Sequence, residues 1–221
     1  MPEIIAIDTT NPRASVAVVR DGAVIFERHF TSERSHNSQL FAPLGEALKL
    51  CGSNLRALVV GTGPGSYTGA RIGIAAAQGI ALSRRVPVIG LPSVLAPEQG
   101  RDALSTLCDF IVCGDARRGK FFISRISKGL LQGEITMHDS DEFTKLHAQE
   151  AALPWFSFDA KPPLDLPAIT LTTPSALRLA LIASAMPDET IWTLEQQPLE
   201  PHYLAAPFVT KGKTPLASHG E

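Results

Sequence analysis

The sequence predicts an α/β protein with two lobes, each following the order β-β-β-α-β-α. Short apolar runs rich in β-branched residues alternate with segments whose apolar residues recur at helical spacing. Turn dipeptides separate these runs, and the plan occurs once in residues 1–100 and again in residues 101–221. We therefore assign one lobe to each range and expect the last residues to pack back or to be disordered.

The first three strands carry the clearest signals. Residues 4–7 form an apolar run that ends at Asp8, as a buried strand does. Residues 14–20 and 23–29 flank Asp21-Gly22, a dipeptide typical of the type I′ hairpin turn. The three segments are therefore predicted to form antiparallel strands.

Helical periodicity follows these strands. Leu40, Phe41 and Leu44 begin an apolar face at the spacing i, i+1, i+4, which predicts a helix. The next predicted elements are a strand at 56–61, a helix at 69–84 and a strand at 86–90.

The second half repeats the plan. Lys128-Gly129 makes a turn between two strands, and Ser140 or Asp141 is a suitable N-cap for the next helix. The predicted elements are strands at 110–113, 120–126, 130–138, 155–158 and 190–194, helices at 141–152 and 174–186, and a Pro-rich extended loop at 159–174. Two such lobes form the actin-like architecture (ASKHA, RNase H-like) of actin, sugar kinases and large heat-shock chaperones. A single irregular α/β domain is the alternative.

Composition disfavours several classes of protein. The chain has 221 residues and a net charge of −2, with a pI of about 6.3, which disfavours tight autonomous binding of RNA. Cys51, Cys108 and Cys113 are odd in number and form no C-x-x-C, which disfavours a disulfide framework or a structural zinc site. The N-terminus lacks the basic region of a signal peptide, and we see no membrane span. We expect a cytoplasmic protein.

Two segments are candidates for holding a phosphate group. Asp8 ends the first strand, where in an actin-like fold an aspartate can hold hydrated magnesium. The glycine-rich run 61–69 leaves a strand and opens a helix, which offers backbone N–H groups to anions. The candidate phosphate residues are Asp8, Thr9, Thr10, Gly63, Gly65 and Ser66. Both segments also suit simple turns, with Ser66 or Thr68 as helix N-cap, and the loop lacks the lysine of a P-loop.

The helix at 69–84 is apolar on every side between residues 72 and 82 except at Gln78, so more than one face must be covered. Gly69, Gly73 and Ala77 form a ridge of small residues that another helix can approach closely. We interpret the ridge as a docking surface, although ordinary cores use the same spacing. Gly73→Leu and Ala77→Arg are then expected to weaken assembly without unfolding the lobe.

Three basic residues, Arg117, Arg118 and Lys120, surround a predicted strand start. They fit either the solvated rim of a hairpin or a small contact with RNA or with an acidic partner surface. The residue pattern leaves both readings open.

Several motifs together resemble the TsaB family, also called YeaZ. They occur in family order from residue 4 to residue 204, nearly the whole chain. The matching segments are Ala6-Ile7-Asp8-Thr9-Thr10, Ala14-Ser15-Val16-Ala17, His36 with Leu40 and Pro43, residues 60–73 with Gln78-Gly79-Ile80-Ala81, Asp115-Ala116-Arg117-Arg118-Gly119, and Pro201-His202-Tyr203-Leu204.

The resemblance implies a role in threonylcarbamoylation of the adenosine beside the anticodon in tRNAs that read codons starting with A. It implies a heterodimer with the homologous catalytic subunit TsaD, formed by the helices near 37–50 and 69–84, with the ATPase TsaE docking on the pair. The implied interface residues are Leu40, Phe41, Leu44, Gly69, Arg71, Ile72, Gly73, Ala76, Ala77 and Ile80. ATP or ADP is a candidate ligand at the joint with the partner, tRNA is reached through the complex, and the isolated chain is expected to form a homodimer.

Departures from the catalytic relative imply a pseudo-enzyme. TsaD carries two histidines one turn apart after the strand that corresponds to 86–90, a spacing at which both imidazoles face one metal ion. Residues 91–99 here contain no histidine, so neither a metal nor a cofactor of the chain's own is expected. Ala205-Ala206 stands where the family often has a basic residue.

Two other activities are weighed against this reading. An active actin-like ATPase or small-molecule kinase would use Asp8 and the Gly61–Gly65 loop, but the sequence offers no convincing base. A metalloprotease is disfavoured because the sequence has no H-E-x-x-H motif.

Overall fold

The computed structural model describes residues 2–31, 36–98 and 109–204, apart from the side chains of residues 36–38. The first lobe begins the chain. Its elements are β1 (Glu3–Asp8), β2 (Arg13–Arg20), β3 (Ala23–Thr31), α1 (His36–Cys51), β4 (Leu55–Gly61), α2 (Tyr67–Arg84), β5 (Val88–Leu91) and a 3-10 turn (Ser93–Leu95). Its sheet has the order β3-β2-β1-β4-β5, in which β1 is antiparallel to β2 and parallel to β4.

The second lobe repeats this sheet. Its elements are β6 (Phe110–Arg117), β7 (Lys120–Ser127), β8 (Leu130–Leu131), β9 (Thr136–His138), α3 (Ser140–Gln149), β10 (Trp155–Ser157), a 3-10 turn (Pro163–Asp165) and β11 (Ile169–Leu171). The order is β11-β10-β6-β7-β8, with β9 also paired to β7. Strand β6 is antiparallel to β7 and parallel to β10, as β1 is to its own neighbours. The shared plan confirms the actin-like fold.

After β11 the chain returns to the first lobe. The helices α4 (Ala176–Ser184) and α5 (Asp188–Glu195) pack on the first sheet. The second lobe has only a 3-10 turn between β10 and β11, where the repeated plan places a helix. Three prolines in this short connection, Pro162, Pro163 and Pro167, do not suit a helix interior. The boundary between lobes at residue 100 stays a prediction.

Side chains of the first sheet alternate between two cores, because successive residues of a strand point to opposite faces. Ile5 and Ile7 of β1 pack with α1 and α2, and Ile4 and Ala6 pack with α4 and α5. Both faces are covered, which explains why the strand reads as a continuous apolar run. Ile182 of α4 also packs against the core of the second lobe and thereby ties the lobes together.

Helix α2 begins and ends at residues that satisfy its terminal backbone groups. The Ser66 hydroxyl accepts a hydrogen bond from Gly69 N at 3.1 Å, so Ser66, rather than Thr68, is the N-cap. Arg85 ends the helix in the left-handed conformation, and its backbone N–H bonds the carbonyl of Ala81. Among the helices of the described ranges, none combines the length and apolarity required to cross a lipid bilayer.

Some of the predicted turns, strands and caps are confirmed, and others are wrong. The turns at Asp21-Gly22 and Lys128-Gly129 are confirmed, since all four residues have positive φ. The strand predicted at 190–194 is wrong, because this segment belongs to α5, which starts after Pro187 with two acidic residues in its first turn. The loop predicted at 159–174 contains β11, and the N-cap of α3 is Asp139 rather than Ser140 or Asp141.

Candidate functional site

Asp8 lies at the end of β1 with its carboxylate inside the protein. Thr10 donates to Oδ1 from its backbone N at 2.9 Å and from its hydroxyl at 2.6 Å, and the Ser93 hydroxyl donates to Oδ2 at 2.7 Å. A Cβ added at Gly61 would overlap Oδ2, so the neighbouring strand leaves no room for a ligand there. Burial raises the pKa of Asp8, and the three hydrogen bonds oppose this shift. In this conformation Asp8 anchors the turn, and its contact with phosphate or a metal stays a prediction.

The glycine-rich loop closes on its own neighbours. Gly63 N donates to the Ser93 hydroxyl at 3.1 Å, and the Gly63 carbonyl accepts from Ser93 N at 2.8 Å. Ser66 N donates to the Thr10 carbonyl at 2.6 Å, and a Cβ added at Gly65 would overlap the same oxygen. The backbone amides of Gly63 and Ser66 are therefore already bonded within the chain.

The predicted ridge of small residues faces inward. The Thr9 hydroxyl donates to the Gly69 carbonyl at 2.7 Å, and a Cβ added at Gly69 would overlap the Thr9 carbonyl oxygen. At Gly73 it would overlap the Thr9 hydroxyl, and Ala77 is fully buried. In this conformation the three residues let α2 pack closely on β1 and β4, and their contact with a partner stays a prediction. We therefore expect Gly73→Leu and Ala77→Arg to destabilise the lobe, contrary to the expectation from the sequence.

The opposite face of α2 forms an open groove with α1, with a volume of about 710 Å³. We call this surface the outer groove. It is lined by Phe41, Tyr67, Thr68, Arg71, Ile72, Ala75, Ala76, Gly79 and Ile80. Phe41 is 61% exposed although it is strongly apolar. A long apolar groove with an exposed aromatic side chain is typical of an interaction surface.

The outer groove contains half of the predicted interface residues. Phe41, Arg71, Ile72, Ala76 and Ile80 line it. Leu40 and Leu44 lie in the core beneath it, where they pack α1 against the first sheet. Each leucine is almost completely buried within the chain in this conformation, and its direct contact with a partner stays a prediction.

Sequence reasoning misses four residues of the groove, which are Tyr67, Thr68, Ala75 and Gly79. The sequence contains a pattern that indicates this face of the helix. Thr68, Ala75 and Gly79 recur at i, i+7 and i+11 and therefore lie on the same side. Small residues occur on both sides of α2, and the spacing alone did not distinguish the inner set from the outer set.

The segment after α5 contacts two residues of the outer groove, Tyr67 and Arg71. His202 N donates to the Thr62 carbonyl at 2.7 Å, which fixes the segment to the glycine-rich loop. The next residue, Tyr203, stacks on Tyr67 with ring centroids 4.8 Å apart. Arg71 lies with its guanidinium carbon 4.2 Å from the centre of the Tyr67 ring and donates from Nε to the Tyr203 hydroxyl at 3.0 Å.

A second cavity of about 530 Å³ lies in the cleft between the lobes. Thr10, Gly65 and Ser66 line it from the first lobe, while Asp8, Thr9 and Gly63 are not among its lining residues. Asp115 and Asp159 line it from the second lobe, and Asp115 N donates to Asp159 Oδ2 at 2.8 Å. Burial raises the pKa of Asp159, and the charge of Asp115 adds to this effect. Half of the candidate phosphate residues thus face a wall that carries two carboxyl groups.

The three predicted basic residues lie at an exposed hairpin turn between β6 and β7. Arg117 and Arg118 occupy the turn with positive φ, and Lys120 begins β7. The Arg117 side chain is 87% exposed, with Nη1 3.8 Å from Asp115 Oδ2. The hairpin is confirmed, and contact with tRNA or an acidic partner surface stays a prediction.

The segment that follows β5 is part of the core. Ser93, Val94 and Leu95 form a buried 3-10 turn at the place where a paired-histidine motif is expected in the catalytic relative. Across residues 2–31, 36–98 and 109–204, no group of three or more His, Cys, Asp or Glu side chains is placed to hold a metal ion. The positions of Gln99 and Ala205-Ala206 lie outside the described residues.

Comparison with known proteins gives a consistent set of similarities. A family model described as "TsaD: tRNA N6-adenosine threonylcarbamoyltransferase" matches residues 30–146, more than half of the chain. The tRNA threonylcarbamoyladenosine biosynthesis protein TsaB of Escherichia coli is 36% identical over 140 residues, which cover 60% of each chain. The protein of the same name from Bacillus subtilis is 31% identical over 134 residues, 58% of each chain. The chain thus spans about three fifths of the length of these curated relatives.

Solved structures support the fold. A crystal structure described as an uncharacterized protein with similarity to peptidase YeaZ, from Pseudomonas aeruginosa, superposes with a TM-score of 0.69 at 22% identity. The match covers 93% of this chain and 100% of that one. A structure described as YeaZ from Pseudomonas aeruginosa gives a TM-score of 0.64, also at 22% identity, over 92% of this chain and 100% of that one.

Proposed function

Because the chain belongs to the TsaB (YeaZ) family, we propose that it takes part in the biosynthesis of threonylcarbamoyladenosine in tRNA. The modified nucleoside is the adenosine beside the anticodon in tRNAs that read codons starting with A. The chain acts in this reaction as a scaffold subunit, and it pairs with a TsaD-like catalytic homologue. The observation that carries the proposal is the outer groove of α1 and α2.

The outer groove supports pairing because its apolar side chains have no cover within the described part of the chain. Phe41 and Tyr67 are exposed, and Ile72, Ala76 and Ile80 are half-buried between them. Burial of such side chains against another protein removes apolar area from water at a gain of about 25 cal/mol per Å². Ala75 and Gly79 are small and exposed, so a facing helix can approach the backbone of α2 closely.

Two features support the proposal that the chain alone does not catalyse the reaction. The Asp8 carboxylate is enclosed by Thr10, Ser93 and Gly61, so it does not reach the cleft where an ATPase or kinase would position metal and phosphate. The segment that would carry a histidine pair is a buried turn. These observations favour the scaffold over the alternative of an active actin-like ATPase or small-molecule kinase.

The proposal extends to the wider assembly. A TsaE-like ATPase docks on the pair, ATP or ADP binds at the joint between the subunits, and tRNA is held by the complex with help from the hairpin at Arg117, Arg118 and Lys120. The isolated chain pairs with itself through the same groove, because a surface shaped for a homologous helix pair suits an isologous contact. The complex works in the cytoplasm.

Light scattering on a mixture of the chain with its TsaD-like homologue tests the pairing. We expect a one-to-one complex at micromolar concentration. In a tRNA threonylcarbamoylation assay, we expect activity only when both proteins are present. Calorimetry of the isolated chain with ATP and magnesium serves as the control for the kinase alternative. Absence of a complex, or ATP turnover by the chain alone, contradicts the scaffold role.

A further inference from the structure

Arg71 is the only charged residue among the described residues that line the outer groove. The other described residues of the groove wall are uncharged, and most of them are apolar or small. Tyr67 and Thr68 carry the hydroxyl groups among them. A single cation in an apolar docking surface costs desolvation energy when the surface is covered, unless an acceptor meets it. The position of Arg71 therefore constrains what can cover the groove.

Two contacts orient the Arg71 guanidinium in the structure. Its carbon lies 4.2 Å from the centre of the Tyr67 ring, and its Nε donates to the Tyr203 hydroxyl at 3.0 Å. Tyr203 is itself stacked on Tyr67, and the backbone of His202 is bonded to the glycine-rich loop. Two aromatic rings from distant parts of the sequence thus orient one planar cation, which lowers the entropy cost of using it in binding.

The orienting contacts use only one side of the guanidinium fork. Nε is engaged by Tyr203, and the described residues place no carboxylate within ion-pair distance of either terminal nitrogen, Nη1 or Nη2. These two nitrogens retain donors in the geometry that matches a carboxylate. An apolar groove with one oriented guanidinium complements an apolar helix that carries one acidic residue.

We propose that Arg71, positioned by Tyr67 and Tyr203, sets the register of the docked partner by binding a carboxylate on the partner's facing helix. This inference rests on the proposed pairing with the TsaD-like homologue and names the chemistry that the groove selects. Phe41, Ile72 and Ile80 supply most of the buried apolar area, and Arg71 supplies the specificity. Tyr203 acts through Arg71 as a positioning residue.

The dissociation constant of the complex between the chain and its TsaD-like homologue measures the role of Arg71. Arg71→Met keeps the length and removes the charge, and we expect Kd to rise roughly 30-fold, because the partner's carboxylate is left buried without a donor. Arg71→Lys keeps the charge but loses the planar fork, and we expect it to recover only part of the affinity. Lys145→Met, which removes a charge from α3 on the other lobe, serves as the control and should leave Kd unchanged.

A double-mutant cycle identifies the acceptor. Each Asp and Glu on the docking helices of the homologue is changed to its amide and measured against wild type and Arg71→Met. We expect one carboxylate whose replacement weakens binding to the wild-type chain and has no effect on Arg71→Met. Tyr203→Phe removes only the orienting hydroxyl, and we expect it to raise Kd roughly threefold and to reduce the coupling between Arg71 and that carboxylate.

The outcomes separate this inference from the function on which it rests. Failure of the wild-type chain to bind overturns both the proposed function and the inference. Binding by the wild-type chain with an unchanged Kd for Arg71→Met, or the absence of any coupled carboxylate, overturns the inference and leaves the scaffold role intact. Circular dichroism of each variant confirms that the fold is retained, since Arg71 and Tyr203 lie at the surface.

Discussion

The two faces of α2 use small residues for opposite purposes. On the inner face, Gly69 and Gly73 allow the helix to lie against Thr9, and added side-chain atoms would overlap that residue. On the outer face, a Cβ added at Gly79 would meet no atom of residues 2–31, 36–98 or 109–204 within 4 Å, and Ala75 is exposed. The inner glycines are thus required by the fold of the single chain. The outer small residues leave room that the described part of the chain does not fill.

This difference shows what a ridge of small residues can and cannot indicate. Gly69, Gly73 and Ala77 have the spacing of a helix-packing motif, and they do mediate close packing, but against the chain's own sheet. Successive residues of an α-helix are turned by about 100°, so Ala75 and Gly79, two positions after Gly73 and Ala77, lie on nearly the opposite side of the helix. The direction of a ridge depends on which side of the helix the sheet occupies, and only the tertiary structure gives that information.

The largest expected effect is on the inner face. Gly73→Leu inserts a side chain between α2 and the residues Thr9, Val60 and Ile7, and we expect the free energy of unfolding to fall by about 3 kcal/mol or more. Urea denaturation followed by circular dichroism measures this loss. The matched control is Gly79→Leu on the same helix, where the space is open. Equal stability of the two variants would contradict the assignment of the two faces.

The next effect concerns assembly through the outer face. Gly79→Arg places a long cation in the outer groove, and we expect Kd for the TsaD-like homologue to rise roughly 30- to 100-fold, because a burial cost of about 2–3 kcal/mol has no compensation. The stability of the isolated chain should not fall, since arginine is a better helix former than glycine. An unchanged Kd would show that the groove is not the docking surface.

A smaller effect is expected at Asp8, which supports the turn beneath the inner face. Burial raises its pKa above the ordinary value of 3.8 in the folded state, so the folded protein binds the proton more tightly than the unfolded chain. The resulting stability is fully present below the ordinary pKa and is lost as pH rises through the raised pKa.

Asp8→Asn removes this titration. We expect the unfolding free energy of the wild-type chain to fall relative to that of the variant as the pH rises from 3.8 through the raised pKa. Urea denaturation of both proteins across this range measures the difference. Parallel stability curves would mean that the Asp8 carboxyl group titrates normally.

The smallest expected effect is a gain of stability from a substitution on the outer face of α2. Gly79→Ala adds one methyl group in open space and reduces the backbone entropy of the unfolded chain, and we expect a gain of about 0.5–1 kcal/mol in unfolding free energy. Thermal denaturation of the isolated chain detects this gain. A loss of stability would indicate that residue 79 packs against part of the chain that the described residues do not include.

Sequence reasoning recovers the elements with strong local signals. The hairpin at Asp21-Gly22 follows from the conformations that these residue types prefer, and the same reasoning limits the N-cap of α2 to Ser66 or Thr68, of which the structure shows Ser66. The strand predicted at 190–194 fails because its β-branched residues suit a strand, whereas Pro187 and the packing of Ile191 on the first sheet place it in a helix. Long-range placement decides such segments.

The candidate site was predictable in its location but not in its details. The motif at 61–69 correctly marks the loop and the helix, yet the partners of Gly63 and Ser66 come from Ser93 and Thr10, which no local pattern reveals. The contact between Arg71 and Tyr203 spans 132 residues of sequence. Such contacts depend on the return of the chain to the first lobe after β11.

The most direct test of the central claim measures the accessibility of the outer face in the complex. Ala75→Cys is made together with Cys108→Ser, so that the remaining native thiols are Cys51 and Cys113, both buried and with raised pKa values. Lys145→Cys in the same background provides the control on α3 of the second lobe. The rate of thiol labelling is then compared with and without the TsaD-like homologue.

We predict that the homologue slows labelling of the Ala75→Cys variant by roughly tenfold or more, because an interface thiol is reached only when the complex dissociates. The Lys145→Cys variant should be labelled at the same rate in both samples. Unchanged labelling at position 75 in a saturated complex would contradict the claim that the outer face of α2 is the docking surface.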